Sequence, residues 1–593
     1  MGRRGRILFS VVVGALLCLS AAASTASADL LWSKPRQLTP PYSAEPQALV
    51  DERGQVLLTW GQRQGYGPER GVFSYRWRAP DGRWSPTRTL PSVRADYETE
   101  VAMTPRGEAV MAYGDSNNEP VYSIAEPGGT FSAPKPLGEP GEEGRVDLAM
   151  DDAGNAVAVW LHRLRGAQGG GAVRVATRRA GEEFSPARTI EVLTREQLSL
   201  SALIGPYASV NDAGAAAIVW QGGQEPRADG RWYMRHRLAY RAPGGSFGAP
   251  EEVPHFVGQG SHIDQGVTVN ERGDVVLTQQ EFPNGVSGGV SYAVRSATGG
   301  WGEAREVGPL GYVTDTFAEP GGAVSFLIQR LADQGEPGDP APAPDQPRDN
   351  RRYVDFAIHR AGGELDGPRQ ISTVDGYAPD AAMNQRGDIL ASWTVGGGGD
   401  QRDTRVAVSE RLAGTLFTPE LVISGPGAWP PQVSMNNARQ ATLIWDGDDE
   451  PGGEFAPTAW GSFRFDPKLP PLPLPPIIDI GDPLGEDPLD DLLGDDGIVL
   501  PVRCDQACTV RPEGLLLDGA GSGAGARAKK GSRVRIAKGR RGRVRVRFDS
   551  DARRAAREAL AAGRKPWVSV SVRAKGKSPR TVAASRRVKL QRR

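Results

Sequence analysis

Hydrophobic and polar positions along this chain repeat one phrase of about twelve residues. In "AMNQRGDILASW" (382–393), an alternating stretch is followed by a polar turn and then by an apolar run that ends on an aromatic residue. Alternation with period two indicates a half-buried strand, and a short apolar run between turn signals indicates a strand buried on both faces. The eight copies of the phrase end at Trp60, Tyr113, Trp160, Trp220, Gln279, Leu327, Trp393 and Trp445.

The turns inside these phrases share one chemistry. Asp or Asn opens most of them and Gly closes them three residues later, because an Asx side chain bonds its own backbone and Gly accepts positive φ. The last copy has Arg439 at the Gly position, so we expect the most strained turn there. The turns begin at residues 51, 104, 151, 211, 270, 318, 384 and 436.

Two further strands separate successive copies. One is typified by "VFSYRWRA", and the other contains Pro, as in "RWSPTRTLP", which favours the edge of a sheet. Four-stranded units spaced 47 to 66 residues apart predict an all-β chain folded as a β-propeller. There are eight turn phrases, and the first edge phrase (31–39) precedes them all. We therefore predict eight blades, with the N-terminal strand completing the last one; seven blades is the alternative, because the unit at 318 is irregular. Five phrases end on Trp, and those side chains are expected to pack between blades.

The order of turns, apolar runs and Pro-bearing strands is similar to that of a known class of repeat proteins. A D/N-x-x-G turn followed by apolar residues and Trp, alternating with W/F-x-x-P strands, resembles uncharacterised secreted β-propeller-repeat proteins of high-GC Gram-positive bacteria that end in a small basic β domain. The resemblance covers residues 29–466. It is loosely similar to the sialidase repeat as well, but the S-x-D-x-G-x-T-W box is absent from this sequence, so no sialidase residue carries over.

The two ends of the chain complete the domain plan. Residues 1–28 have a basic start, an apolar run and an Ala-Ser-Ala site typical of a cleaved signal peptide, so we expect secretion. The propeller would span 29–466, a Pro-rich acidic linker 467–500, and a basic, β-sandwich-like domain 501–593 with one helix. Cys504 and Cys508 remain after cleavage and predict a local disulfide, with a redox-active pair as the alternative; two ligands without a nearby His do not make a zinc site.

Charge is strongly segregated although the whole chain is neutral. Residues 501–593 carry a net charge of +21, the linker −7 and residues 29–466 about −17. A basic C-terminal domain favours an anionic partner. Export and the absence of a recognised motif argue against nucleic acid. The remaining partners are an anionic cell-envelope polymer, a membrane surface, or the acidic linker or propeller of the same chain.

Candidate chemistry lies on the strand before each turn, which lines the channel of a propeller. Inward positions on these strands are polar and acidic, and they predict an acidic channel mouth. It could bind a cation, a polar ligand such as a glycan, or a protein partner on the propeller face, and polar channel lining without a function is the alternative. We predict no resident cofactor and no dedicated metal site. The candidate residues are Glu98, Glu100, Asp147, Asp264 and Asp380.

Three functions follow from these features. The first is an exported, non-enzymatic binding or scaffold protein, with the propeller as a platform and the basic domain as an envelope anchor. The second is a glycan-active, sialidase-like hydrolase that uses paired carboxylates. The third is a purely structural surface protein. The sequence contains no H-E-x-x-H or Walker motif, so zinc-protease and P-loop catalysis have no support.

Overall fold

A computed structural model provides the structure of this protein. It describes residues 32–589 except 64–70, 91–98, 143–144, 164–169, 196, 198–204, 227–231, 254–265, 281–288, 309–310, 332–350, 362, 374, 397–402, 448–457, 466–477, 481–482, 484–496, 518–524, 528–530, 549, 563–566 and 577–580. The signal-peptide prediction, Glu98 and Asp264 therefore lie outside the described residues. In the described part, no helix is long and apolar enough to cross a membrane.

Within the described residues, eight four-stranded antiparallel sheets follow one another, and the first strand, β1 (Arg36–Gln37), belongs to the last of them. Sheets 1 and 2 consist of β2 (Ser43–Val50), β3 (Val56–Arg63), β4 (Gly71–Arg78), β5 (Arg88–Leu90), and β6 (Glu100–Met103), β7 (Ala109–Gly114), β8 (Pro120–Ala125), β9 (Lys135–Pro136). Sheets 3 and 4 consist of β10 (Val146–Met150), β11 (Ala156–Arg163), β12 (Gly171–Arg178), β13 (Arg188–Leu193), and β14 (Tyr207–Val210), β15 (Ala216–Pro226), β16 (Trp232–Arg241), β17 (Glu251–Glu252). Sheets 5 and 6 consist of β18 (Val267–Val269), β19 (Val275–Gln280), β20 (Val290–Arg295), β21 (Arg305–Gly308), and β22 (Gly311–Ala318), β23 (Val324–Leu331), β24 (Arg352–His359), β25 (Leu365–Gln370). Sheets 7 and 8 consist of β26 (Gly376–Met383), β27 (Ile389–Val395), β28 (Arg405–Arg411), β29 (Leu421–Val422), and β30 (Ala428–Met435), β31 (Ala441–Gly447), β32 (Thr458–Arg464) with β1 outermost.

The first strands of neighbouring sheets lie side by side, and sheet 8 adjoins sheet 1. Val50 donates its N–H to Ser434 Oγ at 3.1 Å across this junction. Gln385 of sheet 7 donates to Asp212 Oδ2 of sheet 4 at 3.1 Å, so the first strands surround a narrow central channel. The arrangement is all-β and consistent with a β-propeller.

The turns form as their residue types predict. In sheet 7, Asn384 Oδ1 accepts hydrogen bonds from the N–H groups of Arg386 (2.9 Å) and Asp388 (3.1 Å), and Gly387 has a φ of +83°. The strained last turn is confirmed, because Arg439 has a φ of +61°, which costs an L-residue about 1 kcal/mol. The Pro-bearing segments are the short outermost strands of the sheets. Pro is tolerated there because its missing N–H can face the open edge, where no hydrogen bond to a neighbouring strand is lost.

Apolar side chains from neighbouring sheets pack between the sheets. Leu327 and Phe356 of sheet 6, for example, share a cluster with Ile389 and Trp393 of sheet 7. The phrase-ending tryptophans are buried in these clusters, as expected, with 0% to 3% of their surface exposed. They are Trp60, Trp160, Trp220, Trp393 and Trp445.

The C-terminal part contains two sheets and one helix around a shared core. One sheet has the order β33 (Ile478–Ile480), β34 (Ile498–Cys504), β38 (Arg541–Val546). The other has the order β36 (Gly525–Arg527), β35 (Cys508–Leu517), β39 (Trp567–Lys575), β40 (Thr581–Lys589), and β37 (Val534–Ile536) also pairs with β35. The predicted helix is α1 (Ser550–Ala561), and the predicted Cys504–Cys508 disulfide is present. β33 and the start of β34 fall within the range expected to be linker, so this sheet begins earlier in the chain than its basic residues suggest.

Candidate functional site

A pocket of about 210 Å³ opens on the channel where the first strands of sheets 2, 3 and 4 begin. Glu100 is the first residue of β6, Asp147 the second of β10 and Tyr207 the first of β14. Each lies opposite the equivalent residue of the second strand in its sheet (Ala112, Val159 and Val219), so the repeat places all three at one level. Arg145 completes the polar lining.

Burial raises the pKa of both carboxyl groups in this pocket, by different amounts. Burial, together with the nearby charges of Asp147 and Glu45, raises the pKa of Glu100 to about 8. Burial also raises the pKa of Asp147 to about 6, against a lowering by the Ala208 N–H and by Arg145. Near neutral pH the pocket therefore holds one protonated and one ionised carboxyl group, with a guanidinium beside them.

A recurring hydrogen bond explains why acids occur at this level of the repeat. Asp147 Oδ2 accepts the N–H of Ala208, on the first strand of the next sheet, at 2.6 Å. Asp380 Oδ2 accepts the N–H of Val433, the equivalent residue of sheet 8, at 2.5 Å. These N–H groups belong to strands that have no ladder partner on the channel side, so the carboxylates satisfy donors that would otherwise be open. Two of the predicted site residues thus have a structural role as well.

Asp315 belongs to the same level, and sequence reasoning missed it. The turn of sheet 6 starts at Glu319, whose N–H bonds Ala323 O at 2.9 Å, and not at residue 318 as the phrase alignment predicted. The one-residue error placed Thr314 in the channel column instead of Asp315. Burial and the neighbouring Asp380 charge raise the pKa of Asp315 well above its ordinary value. Asp315 and Asp380 are therefore a second carboxyl pair, separate from that of Glu100.

Glu100 differs from the other acids at this level. Asp147, Asp315 and Asp380 each interact with a backbone N–H of the following sheet, whereas no hydrogen bond of the Glu100 carboxyl group is found among the described residues. Its side chain is one methylene longer and faces the pocket. Glu100 is accordingly the member of the predicted set whose carboxyl group is best placed for a ligand.

Two further carboxylates lie near this group. The bulge in β2 gives Glu45 a φ of +51° and turns it toward the channel. Asp446, at the end of β31, has a pKa raised to about 7 by burial and by Glu45. Residues 448–450, which follow shortly after Asp446, lie outside the described residues.

No family model matches this chain, and no curated protein matches it. Among solved structures it is similar to the BP39L lectin from Burkholderia pseudomallei, at 11% identity over 65% of this chain and 99% of the lectin, with a TM-score of 0.39. It is similar to a PL25 ulvan lyase at 11% identity over 64% of this chain and 96% of the lyase, with a TM-score of 0.38. It is also similar to puromycin hydrolase at 13% identity over 72% of this chain and 63% of the hydrolase, with a TM-score of 0.37. Sequence identities and TM-scores this low do not indicate a function for this chain.

A metal centre finds no support in the described part of the chain. No group of three or more His, Cys, Asp or Glu side chains is close enough there to bind one ion. His262, beside Asp264, lies outside the described residues.

The opposite mouth of the channel, formed by the turns, contains a second cavity of about 240 Å³. Glu52, Asp212, Gln385 and Asn437 line it, together with Arg573 of β39 in the C-terminal part. Arg573 also forms an ion pair with Glu271 of the sheet 5 turn at 3.2 Å. The C-terminal part therefore covers the turn-side mouth, whereas the Glu100 pocket opens at the other end of the first strands.

Sequence reasoning also missed a set of buried arginines that connect the sheets. Arg178, at the end of the third strand of sheet 3, forms an ion pair with Glu108 of sheet 2 at 2.6 Å. Arg411 of sheet 7 contacts Glu319 of sheet 6 at 2.7 Å in the same manner. The signal was present in the repeated ending of the third strand, as in "VRVATRRA" and "VAVSERL". The members at this position are Arg78, Arg178, Arg241, Arg295, Arg411 and Arg464.

Proposed function

We propose that this protein is an exported, non-enzymatic binding protein, in which an eight-bladed propeller takes a polar ligand and the basic C-terminal domain holds it on the cell envelope. Eight four-stranded sheets, the junction between sheets 8 and 1, and the pairing of β1 with β32 support a ring closed by the N-terminal strand. The two C-terminal sheets sharing one core support a β-sandwich-like domain.

The Glu100 pocket is the observation that carries the binding role. A carboxyl group, a guanidinium and a phenol converge there, and each suits the hydroxyl groups of a saccharide, because a hydroxyl both donates and accepts. The volume of about 210 Å³ is below the range of about 300–1,000 Å³ common for drug-sized ligands. We infer that the pocket takes one terminal unit of a glycan.

A glycan-active hydrolase is the second candidate, and one observation favours it. Glu100 and Asp147 interact electrostatically, with pKa values raised to about 8 and about 6, which gives one acid and one base at neutral pH. The hydrogen bond between Asp147 and Ala208 N–H weighs against a free nucleophile or base at that position. Binding without turnover therefore remains our first choice.

Titration of the full-length mature protein against cell-wall oligosaccharides, followed by calorimetry, tests both functions. Glu100→Ala should weaken binding at least tenfold, since it removes the carboxyl group of the pocket. Asp81→Ala, which removes an exposed carboxyl group outside the pocket, should leave affinity intact. Mass spectrometry of the same mixtures detects cleavage. Shortened products that disappear in Glu100→Ala would establish the hydrolase, and equal affinity of the two variants would exclude the pocket as the binding site.

A further inference from the structure

The C-terminal domain presents a row of arginines on one strand. Along β38 and the residue after it, arginines alternate with apolar residues. The apolar members, such as Val544 and Val546, have no exposed surface and belong to the core. The arginines are exposed on the opposite face of the sheet. They are Arg541, Arg543, Arg545 and Arg547, and Arg503 pairs with Arg541 from β34.

This arginine row points away from the propeller. Val544 of β38 and Val570 and Val572 of β39 lie in one core, so the outer faces of their two sheets point in opposite directions. Arg573, on the outer face of β39, contacts Glu271 of the propeller. A second contact joins Arg106 of the sheet 2 turn to Asp505 at 3.2 Å. The domain thus contacts the acidic propeller through one sheet, and the other sheet faces outward. Docking on the propeller and binding to an envelope partner would therefore use different faces of the domain.

The even spacing of the arginines along the strand favours a linear partner. Alternate residues of a strand are about 6.8 Å apart, so the row places one guanidinium at each such interval along a straight line. Ion pairs of Arg541, Arg543 or Arg547 are not found in the described part of the chain. Guanidinium groups bind phosphate oxygens with two parallel hydrogen bonds, and a line of them matches a chain of anionic groups better than it matches a flat lipid surface.

We propose that the arginine row of β38 binds a linear, phosphate-bearing polymer of the cell envelope that lies along the strand. This inference rests on the proposed anchoring role and specifies its surface and its ligand chemistry. It is independent of the Glu100 pocket, which lies on the propeller.

The test uses full-length mature protein and long-chain inorganic polyphosphate as the probe, with binding measured by fluorescence anisotropy over a range of salt concentrations. The variant Arg541→Gln, Arg543→Gln, Arg547→Gln should lose roughly a hundredfold in affinity, at about fivefold for each charge. Its plot of log K against log salt should become shallower by about 2, since three contacts each release about 0.7 counterion.

A matched control separates the row from general charge. Arg83→Gln, Arg179→Gln, Arg360→Gln removes three exposed arginines of the propeller, which gives the same change in net charge. We expect this control to bind polyphosphate as the parent protein does. Equal losses in both triple variants would overturn the proposal, and so would tighter binding to vesicles of equal parts phosphatidylglycerol and phosphatidylcholine than to the polymer. Oligosaccharide binding, measured in parallel, shows whether the Glu100 pocket binds its ligand independently of the arginine row.

Discussion

Asp380 shows how one residue can serve the fold and still depend on pH. Its carboxylate accepts the N–H of Val433 from the next sheet, and its environment excludes water enough to raise its pKa to about 7. Desolvation is the larger effect, because the hydrogen bonds from backbone N–H groups act in the opposite direction. A carboxyl group with a structural hydrogen bond therefore changes its protonation state near neutral pH.

This makes stability dependent on pH near neutrality. An unfolded Asp has a pKa of about 3.9, so between about pH 4 and 7 the folded state binds more protons at Asp380 than the unfolded state. Stability is therefore highest at the acidic end of that window and falls as the pH rises through it. We expect Asp380→Asn, which keeps an acceptor for Val433, to flatten this slope when urea midpoints are measured at about pH 5 and about pH 8.

Asp366→Asn is the control for this prediction. Asp366 is partly exposed, and its hydrogen bond with Arg360 lowers its pKa, so its titration lies below the window. An unchanged slope in Asp380→Asn would contradict the assignment of the pH dependence to this carboxyl group.

At the scale of elements, the third strand does more than extend each sheet. Its terminal arginine reaches the neighbouring sheet, and in sheet 3 the Arg178 side chain is 2% exposed and pairs with Glu108. A buried guanidinium needs such a partner, because an uncompensated charge is costly in a poorly solvated site. These ion pairs make the orientation of adjacent sheets specific where apolar packing alone would permit sliding.

Removal of one partner tests this connection. Glu108→Ala should destabilise the protein by about 3 kcal/mol, since it leaves Arg178 buried without its counter-charge. Chemical denaturation gives this value. Asp81→Ala, which breaks the exposed pair with Arg83, is the matched control and should leave the midpoint unchanged. Equal effects of the two substitutions would show that burial of Arg178 does not matter.

At the scale of the whole molecule, closure of the ring joins the two ends of the propeller. β1 pairs with β32, and Ser33 and Thr39 hydrogen-bond to the same strand. Leu38 has 4% of its surface exposed and packs with Trp60 of sheet 1 and Ile444 of sheet 8. The N-terminal segment therefore contributes to the core between the first and last sheets, in addition to covering an edge.

Leu38→Ala measures this contribution. We expect a loss of about 2–5 kcal/mol, as for other large-to-small changes in a core, together with faster amide exchange in β32. Leu416→Ala, at a side chain that is 72% exposed, should change stability by less than about 0.5 kcal/mol. If the N-terminal segment did not stabilise the protein, both substitutions would change the free energy of unfolding by similarly small amounts.

The phrase pattern anticipated the turns, the doubly buried second strands, the Pro-bearing edges and the buried tryptophans. These features are local, because an Asx-x-x-Gly turn and a run such as "AVAVW" fix their conformation within a few residues. The acidic level of the channel was predicted only in part. Asp147 and Asp380 were identified by counting back from the turn. Asp315 was missed because the turn of sheet 6 starts one residue later than the phrase predicted, and a one-residue error changes which side chains are expected to face inward.

The sequence by itself determined the four-stranded units and the segregation of charge, since periodicity and composition are properties of the chain. Only the tertiary structure decided which polar groups meet. The hydrogen bond from Ala208 to Asp147 joins residues 61 positions apart, and the contact of Arg573 with Glu271 joins residues 302 positions apart. No local pattern encodes such distances. They arise when sheets pack around a common axis, and that packing also separates the docked face of the C-terminal domain from its arginine row.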